Sequence, residues 1–277
     1  MKTNWIFLVV AALLFTSCQE EVFLDLDQKD ARIPVIEGYW TDQGINNEVK
    51  ISLSKNYYDS LDQELVRDAE VFVKELSTGR KITFSYLNAT RSYRPNPGER
   101  AKVGETYQLH VSWKGQVFQS EGLMLEAPTV DSVTYEYQKK RLFREEGYYL
   151  KVYGKIPFPD NNYYRIRVIE NDTLKNQRED YLLFDDAFGL RVFEEGLELG
   201  YAFQKNDRVR LELYRLNKDA FDYLSQLVNL LFNDGGLFSP PPQNPESNIR
   251  VVKGDSPVLG YFVVSPVLAR TLTIPNK

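Results

Sequence analysis

Cys18 is the only cysteine in the 277-residue chain, and its surroundings predict covalent attachment of lipid to its thiol. Residues 14–18 (LFTSC) resemble a bacterial lipobox, in which a diacylglycerol thioether forms on the cysteine and cleavage leaves it as the first residue. Phe15 departs from this motif, since Leu, Val or Ile is usual there. The apolar run at 5–15 is shorter than the ~20 residues that cross a bilayer, and it fits a secretory signal. We therefore predict a signal peptide over residues 1–17 and a bilayer anchor on Cys18, the alternative being a core thiol behind an ordinary signal.

Gln19, Glu20 and Glu21 follow the cysteine and resemble the acidic tag that sends lipoproteins of the Bacteroidota to the outer face of the outer membrane. The alternative is a solvated acidic tether without a sorting role. If this segment is the sorting tag, we expect the protein on the cell surface, attached to the outer membrane. Residues 18–31 would then be the lipidated N-terminus and a linker to the folded part. Two or three acyl chains on Cys18 would make attachment effectively permanent, since each buried methylene contributes ~0.8 kcal/mol.

Chemistry that depends on histidine rests on His110 alone, which lies on the polar side of a predicted strand with Gln108 and Ser112. We interpret it as a surface residue, because a general base needs a positioned partner. The chain has no G-x-S-x-G, P-loop, G-x-G-x-x-G or H-E-x-x-H motif, and zinc sites built from His and Cys are excluded. The net charge of -5 gives no electrostatic reason to bind nucleic acid. We therefore predict no catalytic residue, no cofactor, no metal and no nucleic-acid partner.

Two acidic clusters contain oxygen ligands of the kind that calcium prefers, Asp160-Asn161-Asn162 and Asp185-Asp186. Neither cluster has the spacing of an EF-hand loop, and the first is also the usual composition of a turn before a strand. A carboxylate pair for glycoside hydrolysis stays open as well, because the separation of such a pair is spatial and not sequential.

Three tyrosine doublets offer rings that could stack on a sugar or fill a pocket of a partner: Tyr57-Tyr58, Tyr148-Tyr149 and Tyr163-Tyr164. Adjacent side chains of a strand point to opposite faces, so one of each doublet should face water if the sheet buries only one face. The alternative is core filling, which agrees with the high β-propensity of tyrosine.

The elements that would position these residues are mostly strands, in a chain whose 43% apolar and 26% charged content is that of a soluble globular protein. Apolar and polar residues alternate at 49–54, 69–74, 81–86 and 107–113. Turn sequences at Gly79 and at Lys114-Gly115 predict two hairpins. We expect an N-terminal Ig-like or transthyretin-like antiparallel β-sandwich domain over residues 32–126.

A proline at 128 marks the predicted boundary to a second β-rich domain over residues 127–277. Further strand-like runs are 132–137, 148–156, 163–170, 181–184, 190–193, 208–216, 259–265 and 268–274. At 208–213 charged and aliphatic residues alternate, so we expect one face of that strand in water. One main helix is predicted over about 217–233, with Asn217 as its cap, and a Pro-rich loop follows at 239–245.

Several segments in this order resemble a family of Bacteroidota outer-membrane lipoproteins known as domain of unknown function 4249. They are the lipobox, DLD at 25–27, PVIEG at 34–38, VKISLS at 49–54, DAEV at 68–71, NYYR at 162–165, FDYL at 221–224, PPQN at 241–244, NI at 248–249 and LGYF at 259–262. The resemblance covers essentially the whole mature chain. The connection after 233–236 is shorter than the family pattern, which bears on any partner contact there.

The resemblance implies a non-enzymatic accessory or capping lipoprotein of a TonB-dependent outer-membrane transporter in nutrient uptake. Its partners would be the bilayer, through lipidated Cys18, and the transporter barrel, with an unidentified substrate. The family has no established catalytic residues to transfer. Two alternatives stay open, a free-standing ligand-binding or adhesion lipoprotein and a carboxylate- or calcium-dependent hydrolase.

Overall fold

The computed structural model describes residues 32–55, 62–159, 161–186, 193–233 and 243–276, which are mainly β. The strands are β1 (Pro34–Thr41), β2 (Glu48–Leu53), β3 (Glu70–Glu75), β4 (Lys81–Leu87), β5 (Ser92–Pro95), β6 (Thr106–Trp113), β7 (Gln116–Leu123), β8 (Thr129–Gln138), β9 (Gly147–Lys155), β10 (Tyr163–Glu170), β11 (Thr173–Leu174), β12 (Leu182–Asp185), β13 (Leu197–Glu198), β14 (Arg208–Leu216), β15 (Arg250–Lys253), β16 (Leu259–Ser265) and β17 (Val267–Thr273). The main helix is α1 (Lys218–Leu231), and short 3-10 turns occupy Gly44–Asn46 and Arg178–Asp180. A mainly β fold with one main helix is therefore confirmed, whereas the Ig-like or transthyretin-like form of the first domain stays a prediction.

The largest sheet has nine strands in the order β15-β7-β6-β3-β4-β5-β2-β1-β16. It curls so that its two ends face each other, and Gly122 of β7 lies against Val264 of β16. A Cβ on Gly122 would come within 2.7 Å of the Val264 side chain, so only glycine permits this approach. The alternating apolar residues point inwards and build a core around Trp40, Leu109 and Phe262.

Both predicted hairpins of this sheet are confirmed. β3 pairs with β4 through a turn in which Gly79 has a φ of 72°. β6 pairs with β7 through Lys114 and Gly115, whose φ values of 47° and 76° are those of a type I′ turn. The turn residues therefore set the strand register of both hairpins, β3 with β4 and β6 with β7.

The remaining strands form two smaller sheets. A five-stranded sheet has the order β11-β10-β14-β17 with β12 also paired to β10, and a three-stranded sheet has the order β13-β9-β8. A second core lies between them and includes Leu150, Ile166 and Leu211. The predicted charged face of 208–213 lies in water only at its start, since Arg208 is exposed and Arg210 is half-buried. Glu212 is buried, because the five-stranded sheet is covered on both faces there.

The second face of the five-stranded sheet is covered by β1, β16 and α1. Tyr39, Tyr214, Leu224 and Tyr261 are among the residues of this third core. The strand β16 lies parallel to β1, so a segment from the C-terminal part of the chain completes the first sheet. Residues 32–277 form one compact unit, and the proposed boundary at 126/127 stays a prediction.

Two local predictions need correction. Asn217 stands at the N-cap position of α1, but its side chain makes no capping hydrogen bond. It bonds instead to Leu123 and to the carbonyl oxygen of Val264, because those strand groups lie within reach. Phe193 lies in a helical turn and not in a strand, while 190–192 lie outside the described residues. Among the described helices, none has the length and apolar character needed to cross a bilayer.

Candidate functional site

An open groove of about 530 Å³ runs between α1 and the segment 246–248. We call it the α1 groove. Its lining consists of three carboxylates, three amides, two hydroxyls and one aromatic ring: Asp219, Asp222, Glu246, Gln226, Asn229, Asn248, Ser225, Ser247 and Phe221. Small-molecule pockets are mostly apolar with a few polar groups, whereas this groove is mostly polar and open, as is the rim of a protein interface.

One wall of the groove is the polar face of α1. Ala220, Tyr223 and Leu224 are buried against the sheets, so the helix presents its opposite face outwards. Phe221 anchors the rim of this wall, because its ring lies 4.9 Å from that of Tyr163. The helix is therefore fixed by its apolar side while its polar side lines the groove.

The other wall is held on the strand β16. The Asn248 amide nitrogen donates to the carbonyl oxygen of Phe262 at 2.9 Å, and its amide oxygen accepts from the Phe262 N–H at 2.8 Å. Ser247 donates to the carbonyl oxygen of Gly260 at 2.7 Å. The backbone N–H of Glu246 donates to Gln226 across the groove at 2.9 Å. Both walls thus rest on β16, which makes the concavity a preformed feature of the fold.

The groove has three carboxylates, of which one is ion-paired. Asp219 and Glu246 are exposed, and half-buried Asp222 forms an ion pair with Lys218. Among the described residues that line the groove there is no histidine, so a serine there has no imidazole base. The arrangement can accept hydrogen bonds from a cationic or amide-rich ligand and can hold an apolar group against Phe221.

Behind α1 lies a buried network that we call the tyrosine–arginine cluster, and Arg165 of β10 is at its centre. The Arg165 Nη1 donates to Tyr39 Oη at 2.8 Å, and the hydroxyls of Tyr39 and Tyr261 are also 2.8 Å apart. The guanidinium lies 4.9 Å from the ring centre of Tyr181. Buried Arg165 is therefore surrounded by phenol groups.

The neighbouring Arg167 completes the cluster. Its Nη1 donates to Tyr214 Oη at 3.1 Å, and the Tyr214 hydroxyl donates to Glu212 at 2.9 Å. Arg210 donates to the other carboxylate oxygen of Glu212 at 3.0 Å. Burial acts to lower the pKa of Arg167, but its interactions with Tyr214, Tyr39 and Glu212 outweigh burial and raise it. The network gives each buried guanidinium a phenol oxygen as acceptor, while the Nε atoms of Arg165 and Arg167 have no acceptor among the described residues. It joins the nine-stranded sheet to the five-stranded sheet.

The predicted anchor and sorting residues Cys18, Gln19, Glu20 and Glu21 lie outside the described residues. Their roles therefore stay predictions. The same holds for Asp160 and for the doublet Tyr57-Tyr58.

Asn162 and Asp186 bring the two calcium candidates together in the fold, but an oxygen of each of these residues already accepts from N–H donors. Asp186 Oδ2 accepts from the backbone and the side chain of Asn162, both at 2.8 Å. The Asn162 amide oxygen accepts from Arg215, whose guanidinium lies 3.6 Å from the ring centre of Phe158. Over the described ranges, no three residues of the His, Cys, Asp and Glu types are grouped to hold a metal.

His110 lies half-buried on the outer face of β6, where its ring stacks on Phe72 with centroids 4.3 Å apart. Its Nδ1 is 3.3 Å from the amide nitrogen of Gln119. Burial lowers the pKa of His110, and Glu70 partly opposes this effect. These contacts are those of a packed surface residue.

The tyrosine doublets at 148–149 and 163–164 do not present one ring each to water. Tyr148, Tyr149 and Tyr164 are buried, and Tyr163 is half-buried against Phe221. Core filling, the alternative interpretation of these doublets, is confirmed, because both faces of β9 and β10 are covered. Burial raises the pKa of Tyr164 to about 12.

Sequence reasoning missed the α1 groove, although a signal for it exists. Asp219, Asp222, Gln226 and Asn229 recur at helical spacing opposite the apolar face of the predicted helix. The second wall at 246–248 has no such signal, because it is placed by its hydrogen bonds to β16.

A search of curated proteins finds no match. Among solved structures, a similar chain is the selenomethionine-substituted chicken interferon gamma receptor alpha chain, which is 12% identical. The alignment covers 67% of this chain and 89% of that chain with a TM-score of 0.21, a value too low to support any argument. The sequence pattern of the family called domain of unknown function 4249 matches residues 19–271. The chain therefore belongs to the domain of unknown function 4249 family.

Proposed function

We propose that this protein is a surface-exposed outer-membrane lipoprotein of the Bacteroidota that assists a TonB-dependent transporter in nutrient uptake and is not an enzyme. The observation that carries the proposal is the preformed α1 groove, a concave and polar surface lined by α1 and residues 246–248. Family membership supports the same role, because the family resemblance implies work beside such transporters.

The groove favours binding over catalysis. Its carboxylates are exposed or half-buried, and Asp222 is already neutralised by Lys218. General acid catalysis at neutral pH needs a carboxyl whose pKa is raised by burial or by a second carboxylate. Three carboxylates beside amides and hydroxyls suit a basic or amide-rich segment, such as an extracellular loop of a barrel.

Site-specific cross-linking in the native membrane tests the proposal. A photoreactive phenylalanine analogue replaces Asn229, which is exposed and lines the groove. The matched control carries the analogue at Asn88, an exposed asparagine in the turn between β4 and β5. We expect a cross-link to a β-barrel receptor from position 229 and none from position 88.

The absence of a barrel receptor from gently purified and cross-linked material would end the transporter role. Binding of a soluble ligand by the chain without any barrel would instead identify a free-standing binding or adhesion lipoprotein. The hydrolase alternative requires an activity that Asp219→Asn, Asp222→Asn or Glu246→Gln abolishes. Each of the three functions therefore has its own observable outcome.

A further inference from the structure

The hairpin of β8 and β9 ends in two apolar side chains that project into water. Leu142 is 88% exposed and Phe143 is 96% exposed. These are the highest exposures among the large apolar side chains of the described residues. Exposing two such side chains side by side is unfavourable in water, so their placement at an apex requires an explanation.

The apex is a tight turn, and contacts of Arg144 with neighbouring residues hold it in place. The Arg141 N–H donates to the Arg144 carbonyl oxygen at 2.9 Å, and the Arg144 N–H donates back at 3.2 Å. The Arg144 guanidinium donates to Gln138 and Glu198 and lies 4.2 Å from the ring centre of Tyr149. Leu142 and Phe143 are thus presented on a preorganised turn.

Basic residues surround the apex. Residues 139–144 (KKRLFR) contain four cations and no carboxylate. Lys140 pairs with Glu145 and Arg144 pairs with Glu198. Lys139 and Arg141 are exposed and have no ion-pair partner in the part of the chain that the structure describes. Two positive charges without an ion-pair partner among the described residues therefore precede the apolar pair, in a chain whose net charge is -5.

Two exposed tyrosines lie further down the same hairpin. Tyr135 and Tyr137 are 44% and 46% exposed, and the Tyr137 hydroxyl donates to Glu146. Both rings also contact the ring of Tyr148 edge-on, at 6.0 and 5.3 Å. Tyrosine favours the level of lipid headgroups, where an apolar ring meets a polar surface.

We infer that this hairpin tip docks on an anionic lipid surface. Leu142 and Phe143 enter the boundary of the acyl chains, Lys139 and Arg141 contact lipid phosphates, and the tyrosines lie at headgroup depth. Two apolar side chains on a narrow turn cover far less than the ~800 Å² per partner of a stable protein interface, whereas they suffice as a membrane wedge. The acidic remainder of the chain would be repelled by the same surface, so the tip is the part that faces it.

The inference does not rest on the transporter role, and a depth measurement tests it. Full-length chain with Leu142→Cys carries an environment-sensitive fluorophore and is mixed with vesicles that contain about a third phosphatidylglycerol and a lipid-borne quencher. The matched control carries the fluorophore at Ile45→Cys, a site 75% exposed in the 3-10 turn after β1. Both chains also carry Cys18→Ser, so the fluorophore reacts only with the introduced cysteine and no acyl chain attaches either protein to the vesicle.

We expect strong lipid quenching at position 142 and little at position 45. Adding Lys139→Glu and Arg141→Glu should weaken vesicle binding by at least about 25-fold, because each cation near an anionic surface strengthens binding about fivefold. Phe143→Ser should weaken it by about tenfold or more. All three residues are exposed, so circular dichroism should show an unchanged fold.

Three results would overturn the inference. The first is a tip label as unquenched as the control label at saturating lipid. The second is equal quenching of the tip label in vesicles of neutral phosphatidylcholine, which would show that docking does not need anionic lipid. The third is protection of the tip label only after a receptor-containing membrane extract is added, which would identify a protein as the occupant.

Discussion

The two faces of the strand pair β1 and β16 show two different ways to build a buried layer. Trp40 and Phe262 point into the curled nine-stranded sheet, where Trp40 packs on Phe84 at 5.8 Å. The preceding residues Tyr39 and Tyr261 point to the other side, into the tyrosine–arginine cluster. The first face is apolar, and the second buries two guanidinium groups among phenols.

The difference teaches which layer tolerates change. Apolar burial is non-directional and scales with area, so its loss is graded by the volume removed. A buried guanidinium depends on a few directional acceptors, so the loss of one acceptor oxygen costs more than the volume removed would suggest. Four predictions follow this contrast from the largest effect to the smallest.

Trp40→Ala should lower the free energy of unfolding by about 3–5 kcal/mol, because it opens a large cavity in the apolar layer. Urea denaturation followed by circular dichroism measures this loss. Trp113→Ala is the control, since Trp113 is half-buried at a hairpin end and bonds to Asp68 at 2.9 Å. Equal losses for the two variants would show that the apolar layer is not the main source of stability.

Tyr39→Phe should lower the free energy of unfolding by about 2 kcal/mol, because the hydroxyl that accepts from buried Arg165 is lost. Tyr93→Phe removes a hydroxyl with only neutral partners, Val66 and Ala69, and should cost about 1 kcal/mol. Combining Tyr39→Phe with Arg165→Met should cost less than the sum of the single changes. Additive losses would contradict a coupled cluster.

Asn217→Asp separates a helix cap from a strand bridge. As a cap, aspartate would be as good as asparagine. As a bridge it loses the donor to the carbonyl oxygens of Leu123 and Val264, at 3.1 and 2.9 Å. We expect a loss of about 1–2 kcal/mol in chemical denaturation, against no more than about 0.5 kcal/mol for Asn88→Asp on an exposed turn. A stability equal to that of the parent would restore the capping interpretation.

Glu37, on the polar face of β1, should make the free energy of unfolding depend on pH. Burial raises the pKa of this carboxyl above its ordinary value of 4.5, and Lys50 partly opposes burial. The folded state therefore holds the proton more tightly, so the stabilising contribution is complete below about pH 4.5 and is lost as the pH rises through the folded pKa. Glu37→Gln should be more stable than the parent at pH 7 and equal to it near pH 4. Urea unfolding of the variant and the parent measures this difference. The same difference in the free energy of unfolding at pH 7 and at pH 4 would contradict the prediction.

Much of the fold could be read from local patterns. The hairpin at Lys114-Gly115 was predictable because positive φ at two turn residues matches the twist of the flanking strands. The helix over about 217–233 was predictable from its apolar spacing and ends within two residues of the predicted bound. The strand β1 (Pro34–Thr41) was missed, because it is buried on both faces and does not alternate.

The candidate site was less predictable than the fold. The polar face of α1 is visible in the sequence, but the opposite wall depends on Asn248 reaching Phe262, a contact specific to the folded chain. Glu212 was predicted to lie on a solvated strand face, because alternation in the sequence cannot distinguish a face in water from a face buried in a polar layer.

The sequence by itself determined the strands with clear alternation, their hairpin turns, the main helix and the family, and it predicts the lipid site at Cys18. These features depend on the backbone preferences and spacing of neighbouring residues. Only the tertiary structure decided that β16 lies parallel to β1, that both faces of β10 are buried, and that two walls form one groove. The β1–β16 pairing joins residues more than 200 positions apart, and no local period encodes which distant strand completes a sheet.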